Sequence, residues 1–395
     1  NPEKDKFSKY NTNVKLGYAF SNKLSLKVYG NHTKVRTQFD ESFGMFDAPY
    51  EFISEQKRVG TAFNFGYKKG ELVLNAGFSD YASESLSAFP SEYEGTNLVV
   101  DVYNKYNFND NFYTILGVNY IEDETEYAET QDFTILDPYA NAVYVSDFGL
   151  NVNAGMRLNN HSEYSSHFVY NVNPSFRFYT EKGYVKLMGS YATSYITPSL
   201  NQLFGNFGAN PDLEPEENTT IEGGVEFASN DFRVSALYFS RKEENFVFYG
   251  ANGYENASNT IDANGVEVNL DYSPTDNLSL NANYTLTERK GDNAIRLPKH
   301  KINASLGYNF SERTNASLTY QLTGERTDSD FGTFPAADVA LDAFSLVGFY
   351  LSHQLLENKL TVFVNANNLL NSEYTEILGF NTKGRNIRLG LNLNL

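Results

Sequence analysis

The chain has no cysteine and no tryptophan, and only three methionines among 395 residues. Without thiols there is no disulfide framework and no thiolate metal site. Long hydrophobic runs are also missing. The longest nearly apolar stretch is AFSLVGFYL near residue 343, far short of the ~18–20 residues that a spanning helix needs. Basic residues are in deficit, 31 Lys and Arg against 49 Asp and Glu, and the formal charge of -18 argues against a nucleic-acid partner, whose phosphates would be repelled. The opening NPEKDKFSKY is not a signal peptide. The five histidines, His32, His161, His167, His300 and His353, form no HExxH or Cys/His spacing. GxSxG, P-loop and GxGxxG segments are absent too, and no enzyme is expected.

What is present is tyrosine, phenylalanine and strict alternation. There are 29 Tyr and 31 Phe, yet mean hydropathy is only -0.46. The final NIRLGLNLNL puts Ile387, Leu389, Leu391, Leu393 and Leu395 on one parity and Asn386, Arg388, Gly390, Asn392 and Asn394 on the other. Successive strand side chains point to opposite faces, so this ribbon has one greasy side and one polar side. RVGTAFNFGYK repeats the pattern, with Val59, Phe63, Phe65 and Tyr67 opposite Arg58, Asn64 and Lys68. So does LSLNANYTLT, with Leu278, Leu280, Tyr284 and Leu286 on one side. About nineteen such strands are expected, many of about ten residues. A barrel strand shows lipid only every second residue, so low hydropathy and a membrane location are compatible.

The connections alternate as well. Short polar turns are read at SNK (21), KKGE (68), NDN (109), Phe148-Gly149, EKG (181), SND (229), SPTDN (273), SERT (311) and LENK (356). Longer segments separate them: DESFGMFDAPYEF, ETEYAETQDFTILDPY, 197–217 and NSEYTEILGFNTKG. Short turns at one end and long loops at the other predict an all-β fold, a transmembrane antiparallel barrel with turns in the periplasm and loops outside. Propeller strands are shorter and carry a recurring blade signature, which this chain lacks. Nineteen long strands would make an awkwardly large soluble sheet. Tyr272, Phe310, Tyr320 and Tyr350 near strand ends suit aromatic girdles. A periplasmic C-terminus makes the last strand run inward, and counting back, the first clear strand at 13–20 runs the same way. An even barrel would then need further strands before Asn1.

YATSYITPSLNQLFGNFGANPDLEPEENTTIEGGVEF (191–227) resembles a hallmark segment of TonB-dependent outer-membrane transporters. The matching residues are Ser194, Tyr195, Pro198, Asn210, Pro211, Leu213, Pro215, Glu216, Glu222 and Gly223. NANNLLNSEY (365–374) and LGFNTKGRNIRLGL, with Gly384 and Arg385, are similar to the family's C-terminal pattern. Order and spacing over 184–395 resemble the cobalamin branch most. The chain departs from the family in ending in Leu395 rather than an aromatic residue.

The resemblance implies a 22-stranded barrel of which strands four to twenty-two are present. A plug and a TonB-engaging motif would lie N-terminal to this chain, and one domain spans 1–395. It implies active import of a scarce bulky ligand, cobalamin first and a ferric siderophore second; a passive porin-type channel is the alternative from another class. The C-terminal strand is expected to be read by the barrel-assembly machinery.

Candidate ligand-binding residues in and beside the 197–217 loop are Tyr195, Asn201, Gln202, Phe204, Asn206, Phe207 and Asn210. Pro198, Pro211 and Pro215 fix φ and remove backbone donors, so that stretch cannot extend a β ladder. Arg385 is placed at the rim, and Arg388 at the rim or in the lumen. IEDETEYAE puts Glu122, Asp123, Glu124, Glu126 and Glu129 in or beside an external loop. Clustered carboxylates suit Ca²⁺, with Glu122 and Asp123 as candidates, or a solvated acidic edge. His161 and His167 are read as a solvated loop pair.

Overall fold

The computed structural model describes residues 5–41, 46–127, 129–250, 252–291, 294–330, 332–333, 336–356 and 359–394. Leu395 and the centres of the turn at 356–359 and of the 40–52 connection lie outside the described residues. In chain order the elements are β1 (Phe7–Ala19), β2 (Leu24–Glu41), β3 (Phe46–Tyr67), β4 (Gly70–Leu86), β5 (Ser91–Asn107), β6 (Phe112–Glu126), β7 (Thr130–Val145), β8 (Leu150–His161), β9 (His167–Thr180) and β10 (Gly183–Ile196). Helix α1 (Leu200–Phe204) follows, then β11 (Glu216–Ser229), β12 (Phe232–Glu244), β13 (Val247–Gly250), β14 (Gly253–Asn256), β15 (Ile261–Thr275), β16 (Leu278–Arg289) and β17 (His300–Ser311). The last are β18 (Thr314–Thr323), β19 (Arg326–Asp330), β20 (Ala337–Leu341), β21 (Phe344–Leu356), β22 (Leu360–Asn367) and β23 (Asn386–Leu393). Nineteen of these strands belong to one antiparallel sheet, as the alternation predicts, and β13–β14 and β19–β20 are separate hairpins.

The chain divides into two compact units, Asn1–Pro174 with Tyr191–Thr219 and Glu243–Thr260, and Ser175–Ser190 with Thr220–Lys242 and Ile261–Leu395. In the first, β1 to β8 pair in sequence order. In the second, β15 to β18 and then β21 to β23 do the same. The register brings one parity of each strand onto a common face. Val59 is opposite Phe78, and Phe78 opposite Leu98. Leu280, Leu306, Leu318 and Phe349 form a similar row in the second unit.

That shared face is not turned toward a protein core. Among the described residues thirteen hydrophobic side chains are buried and fifty-three large ones are exposed. Ile387, Leu389, Leu391 and Leu393 are all exposed. An apolar face of this extent is what hydrocarbon requires. Aromatic pairs two residues apart stand edge-on beside three short turns: Tyr18–Phe20, Tyr106–Phe108 and Tyr308–Phe310, at 4.8, 4.8 and 4.9 Å. Tyr272, Phe310 and Tyr320 are exposed as a girdle requires. Tyr350 is not on that face. Its neighbour Phe349 pairs with Leu318, so Tyr350 points the other way and packs on Phe363 at 5.9 Å.

Each short turn among the described residues falls where the sequence places it, between consecutive paired strands. Two expected long loops are mostly strand instead. β2 continues to Glu41 and β3 begins at Phe46, while β6 reaches Glu126 and β7 begins at Thr130. Strands reach 22 residues rather than about ten. Beyond the lipid both faces are wet, so the apolar parity fades while the backbone ladder, which needs no side-chain pattern, continues.

Candidate functional site

In the first unit, the 197–215 connection is folded rather than loose. Pro198 ends the approach from β10, and Ser199 caps α1. The Gln202 N–H donates to Ser199 Oγ (3.3 Å) and the Ser199 N–H donates to Gln202 Oε1 (2.8 Å), a reciprocal capping box. Leu200 is buried against Phe133 and Ile135, with Ile121 beside them. Leu213 is 2% exposed and acts as the second apolar anchor.

Polar groups from neighbouring connections hold the rest. The Tyr164 hydroxyl donates to the Leu213 carbonyl (2.9 Å), and the Tyr127 hydroxyl to Asn201 Oδ1 (3.3 Å). Hairpin β13–β14 closes another side. The Tyr254 N–H donates to the Gly208 carbonyl (2.7 Å), and Asn210 Nδ2 to the Tyr254 carbonyl (3.0 Å). Gly208 has φ +64°, and a Cβ there would sit 2.7 Å from the Gly253 backbone, so no larger residue fits. The Val247 N–H donates to Glu216 Oε1 (2.8 Å). Asn256 accepts from the Glu214 N–H and donates to the Glu214 and Asn245 carbonyls.

The predicted ligand residues therefore separate into two groups. Phe204, Asn206 and Phe207 are exposed, and so is Asn201, whose Oδ1 also accepts from Tyr127. Gln202 and Asn210 are occupied in holding the loop, and Tyr195 stacks on His167 with centroids 4.2 Å apart. Pro198 is buried, Pro215 half-buried and Pro211 exposed. Glu222 and Gly223 lie in β11, where a Cβ on Gly223 would meet nothing within 4 Å. Gly384 and Arg385 belong to the second unit; Arg385 is exposed and its N–H donates to Asn371 Oδ1 (2.9 Å).

The acidic run lies in a strand, and the solvated reading of His161 is corrected. Glu122 and Asp123 are strand residues of β6, adjacent and so on opposite faces. Glu122 accepts from the Tyr120 hydroxyl (2.9 Å) and Asp123 from Asn97 Nδ2 (2.6 Å), and among the described residues no three acidic or His side chains converge on a cation position. His161 is not solvated. It is 7% exposed, against Phe133 at 4.6 Å and Tyr164 at 5.0 Å. As the twelfth residue of β8 it lies past the 9–11 residues that cross the bilayer. Burial pulls its imidazole below the usual range, outweighing the carboxylates of Glu163 and Asp123. Burial likewise pushes the Tyr164 and Tyr127 hydroxyls up to about 12, so both stay protonated donors.

A hollow of about 610 Å³ adjoins Asn206 and Tyr127, and its wall carries Glu84, Glu92, Glu94 and Glu126. Glu84 stands opposite Glu92, and Glu94 opposite Glu126. The spacing of Glu92 and Glu94 alone signals a shared face; their partners needed the register.

In the second unit, the connections at 290–299, 324–343 and 368–385 are tied together by two residues that carried no sequence signal. Asp328, fully buried, accepts from Arg296 Nε (2.7 Å), the Ser329 N–H (2.9 Å) and the Leu378 N–H (2.8 Å). Arg326 donates to the Thr375, Glu376 and Asp342 carbonyls and lies over the Phe344 ring at 5.2 Å.

The sequence profile of TonB dependent receptor-like β-barrels matches residues 1–369. The chain belongs to that family. Receptors of the TonB-dependent family are outer-membrane transport proteins rather than enzymes. Over 389 residues the chain is 25% identical to the vitamin B12 transporter BtuB of Vibrio cholerae serotype O1, covering 93% of this chain and 61% of that protein. It thus spans about three fifths of the length of its curated relatives. Solved TonB-dependent receptors share the fold. A mutant of the ferric enterobactin receptor PfeA from Pseudomonas aeruginosa has TM-score 0.84 and 13% identity, over 98% of this chain and 69% of that one. The siderophore receptor PirA from Acinetobacter baumannii has TM-score 0.83 and 12% identity, over 98% and 71%.

Proposed function

We propose that this chain forms the barrel of an active importer in the outer membrane and that its ligand is cobalamin. The observation that carries the reading is the likeness to a vitamin B12 transporter along 93% of the chain. The exposed side chains of the α1 connection support it: two amides, Asn201 and Asn206, beside two aromatic rings, Phe204 and Phe207. Such a surface suits a bulky corrin whose edge carries amides. The four carboxylates near Asn206 disfavour an anionic ferric chelate, which like charge would repel. A ferric siderophore is the second reading, drawn from the receptors that share the fold. Energy would come through TonB, and β23, with its exposed leucines, would be read during barrel assembly; both steps are taken from the family.

The test is uptake of labelled cyanocobalamin by cells that lack their own cobalamin receptor and express this protein. Uptake that needs TonB is expected. Growth on ferric chelates without cobalamin uptake would replace the ligand and keep the importer. Uptake unaffected by loss of TonB would replace the importer by a passive channel.

A further inference from the structure

His161 closes a row that runs across three strands. Ile121 of β6 is opposite Ile135 of β7, and Ile135 is opposite His161 of β8. Phe133, two residues from Ile135, shares that face of β7 and is opposite Asp123. Leu200 of α1 is buried on Phe133 and Ile135, and the His161 ring lies on the same Phe133 at 4.6 Å. The ring's other neighbour is Tyr164, at 5.0 Å, whose hydroxyl donates to the Leu213 carbonyl (2.9 Å). Both apolar anchors of the α1 connection, Leu200 and Leu213, are thus one side chain removed from this imidazole.

The hydrogen bonding of the ring suits only its neutral form. His161 Nδ1 accepts from the Glu163 N–H (3.1 Å). The proton of the neutral ring is therefore on Nε2, and Nε2 is buried with no partner among the described residues. A second proton has only Nδ1 to occupy. There it would remove the acceptor of the Glu163 N–H, set two N–H groups against each other and leave a charge in an apolar site without a hydrogen bond. The charged groups that face the ring are Glu163, from its own turn, and Asp123, from β6. Asp123 is engaged by Asn97 Nδ2 (2.6 Å). From β7 come Phe133 and Ile135, and α1 carries no acid in its first turn and no base in its last. The Tyr164 hydroxyl stays protonated.

We propose that His161 is a proton-operated latch on the α1 connection: the neutral ring holds Tyr164 in place and Tyr164 holds Leu213, whereas the protonated ring leaves the cluster and frees both. Phe204, Asn206 and Phe207 then lose their fixed footing, so acid outside the cell turns ligand capture down. Opening brings the ring into water, where its ordinary value of about 6.5 applies. A base that the closed state keeps neutral lends stability above that value, and the stability is lost as pH falls below it. The latch does not depend on which ligand the importer carries, because the connection's own opening reports it.

Its test is hydrogen exchange of the whole protein in detergent micelles, read by mass spectrometry and corrected for the intrinsic pH dependence of amide exchange. Between pH 7.5 and 5.5 the protection of residues 199–214 is expected to fall about tenfold, the rise in the open population when one ring titrates at its ordinary value only in the open state. β4 and β5 should keep their protection. His161→Phe, which fills the site without titrating, should abolish the pH step while keeping heat-modifiable gel migration, the mark of a folded barrel. His161→Gln, whose amide oxygen can still accept from the Glu163 N–H, gives an independent reading should the first variant misfold. His167→Gln removes the imidazole that faces Glu217 at 3.6 Å and should keep the step. Protection of 199–214 that does not change with pH in the unmodified protein overturns the proposal, whatever the variants do. So does a step that persists in a folded His161 variant or vanishes in His167→Gln.

Discussion

Asp328 shows how a single carboxylate can organise three connections. Burial alone would raise its pKa, but the Leu378 and Ser329 amides and the Arg296 guanidinium together hold it below the usual range. A group whose folded pKa is depressed lends stability above its unfolded value, and that stability is lost as pH falls through the folded one. Hairpin β19–β20 should therefore lose hydrogen-exchange protection only below about pH 4, the ordinary Asp range. Asp328→Ala should remove that protection at neutral pH, at a local cost of about 2–3 kcal/mol for the lost charge-assisted hydrogen bonds. Exchange that is unchanged in the variant would show that the clamp is idle. Nothing in ERTDSD announced this residue, because its partners come from connections about thirty and fifty positions away. His161 escaped for the same reason: NNHSEYSSH reads as a wet loop, and the ring is covered by Phe133 from another strand.

At the scale of elements, the α1 connection is held by its own cap and by two tyrosines from neighbouring segments. Tyr164→Phe deletes one hydrogen bond to Leu213, worth about 1 kcal/mol, and leaves the strands alone. On the proposed cobalamin reading, cyanocobalamin binding should weaken several-fold, with no change in the thermal unfolding midpoint of the barrel. Matching losses of affinity and midpoint would mean that the tyrosine supports the wall instead. The turns and the apolar halves of the strands were legible in the sequence. Asn, Asp and Gly impose tight turns, and lipid imposes strict parity, as in Leu389 and Leu391. The upper halves of β2, β3, β6 and β7 were not, since water on both faces demands no alternation. Hairpins β13–β14 and β19–β20 are four or five residues per strand, too short for periodicity to reveal. The α1 segment was marked by its prolines; which of its side chains hold the loop and which face outward depended on partners such as Tyr254 and Asn256.

For the whole molecule, the medium around the apolar face decides stability. Val118 is the seventh residue of β6 and is exposed on that face. Val118→Arg should destabilise folding into vesicles by about 2–4 kcal/mol, the cost of arginine near the bilayer midplane. Asn119→Arg, one position on and facing the other way, should cost far less. Urea titration of vesicle-inserted protein measures both, and equal effects would mean that the two faces share one environment.

The length of β3 has a consequence of its own. Twenty-two residues at about 3.4 Å each and tilted about 45° rise roughly 50 Å, and the apolar band accounts for only about 25 Å. The β2–β3 ribbon thus stands like a mast some 25 Å clear of the hydrocarbon. An antibody or phage tail gripping its paired flanks, Gln38 against Glu51 and Phe39 against Tyr50, would engage backbone already fixed by pairing, and would pay little ordering entropy for doing so.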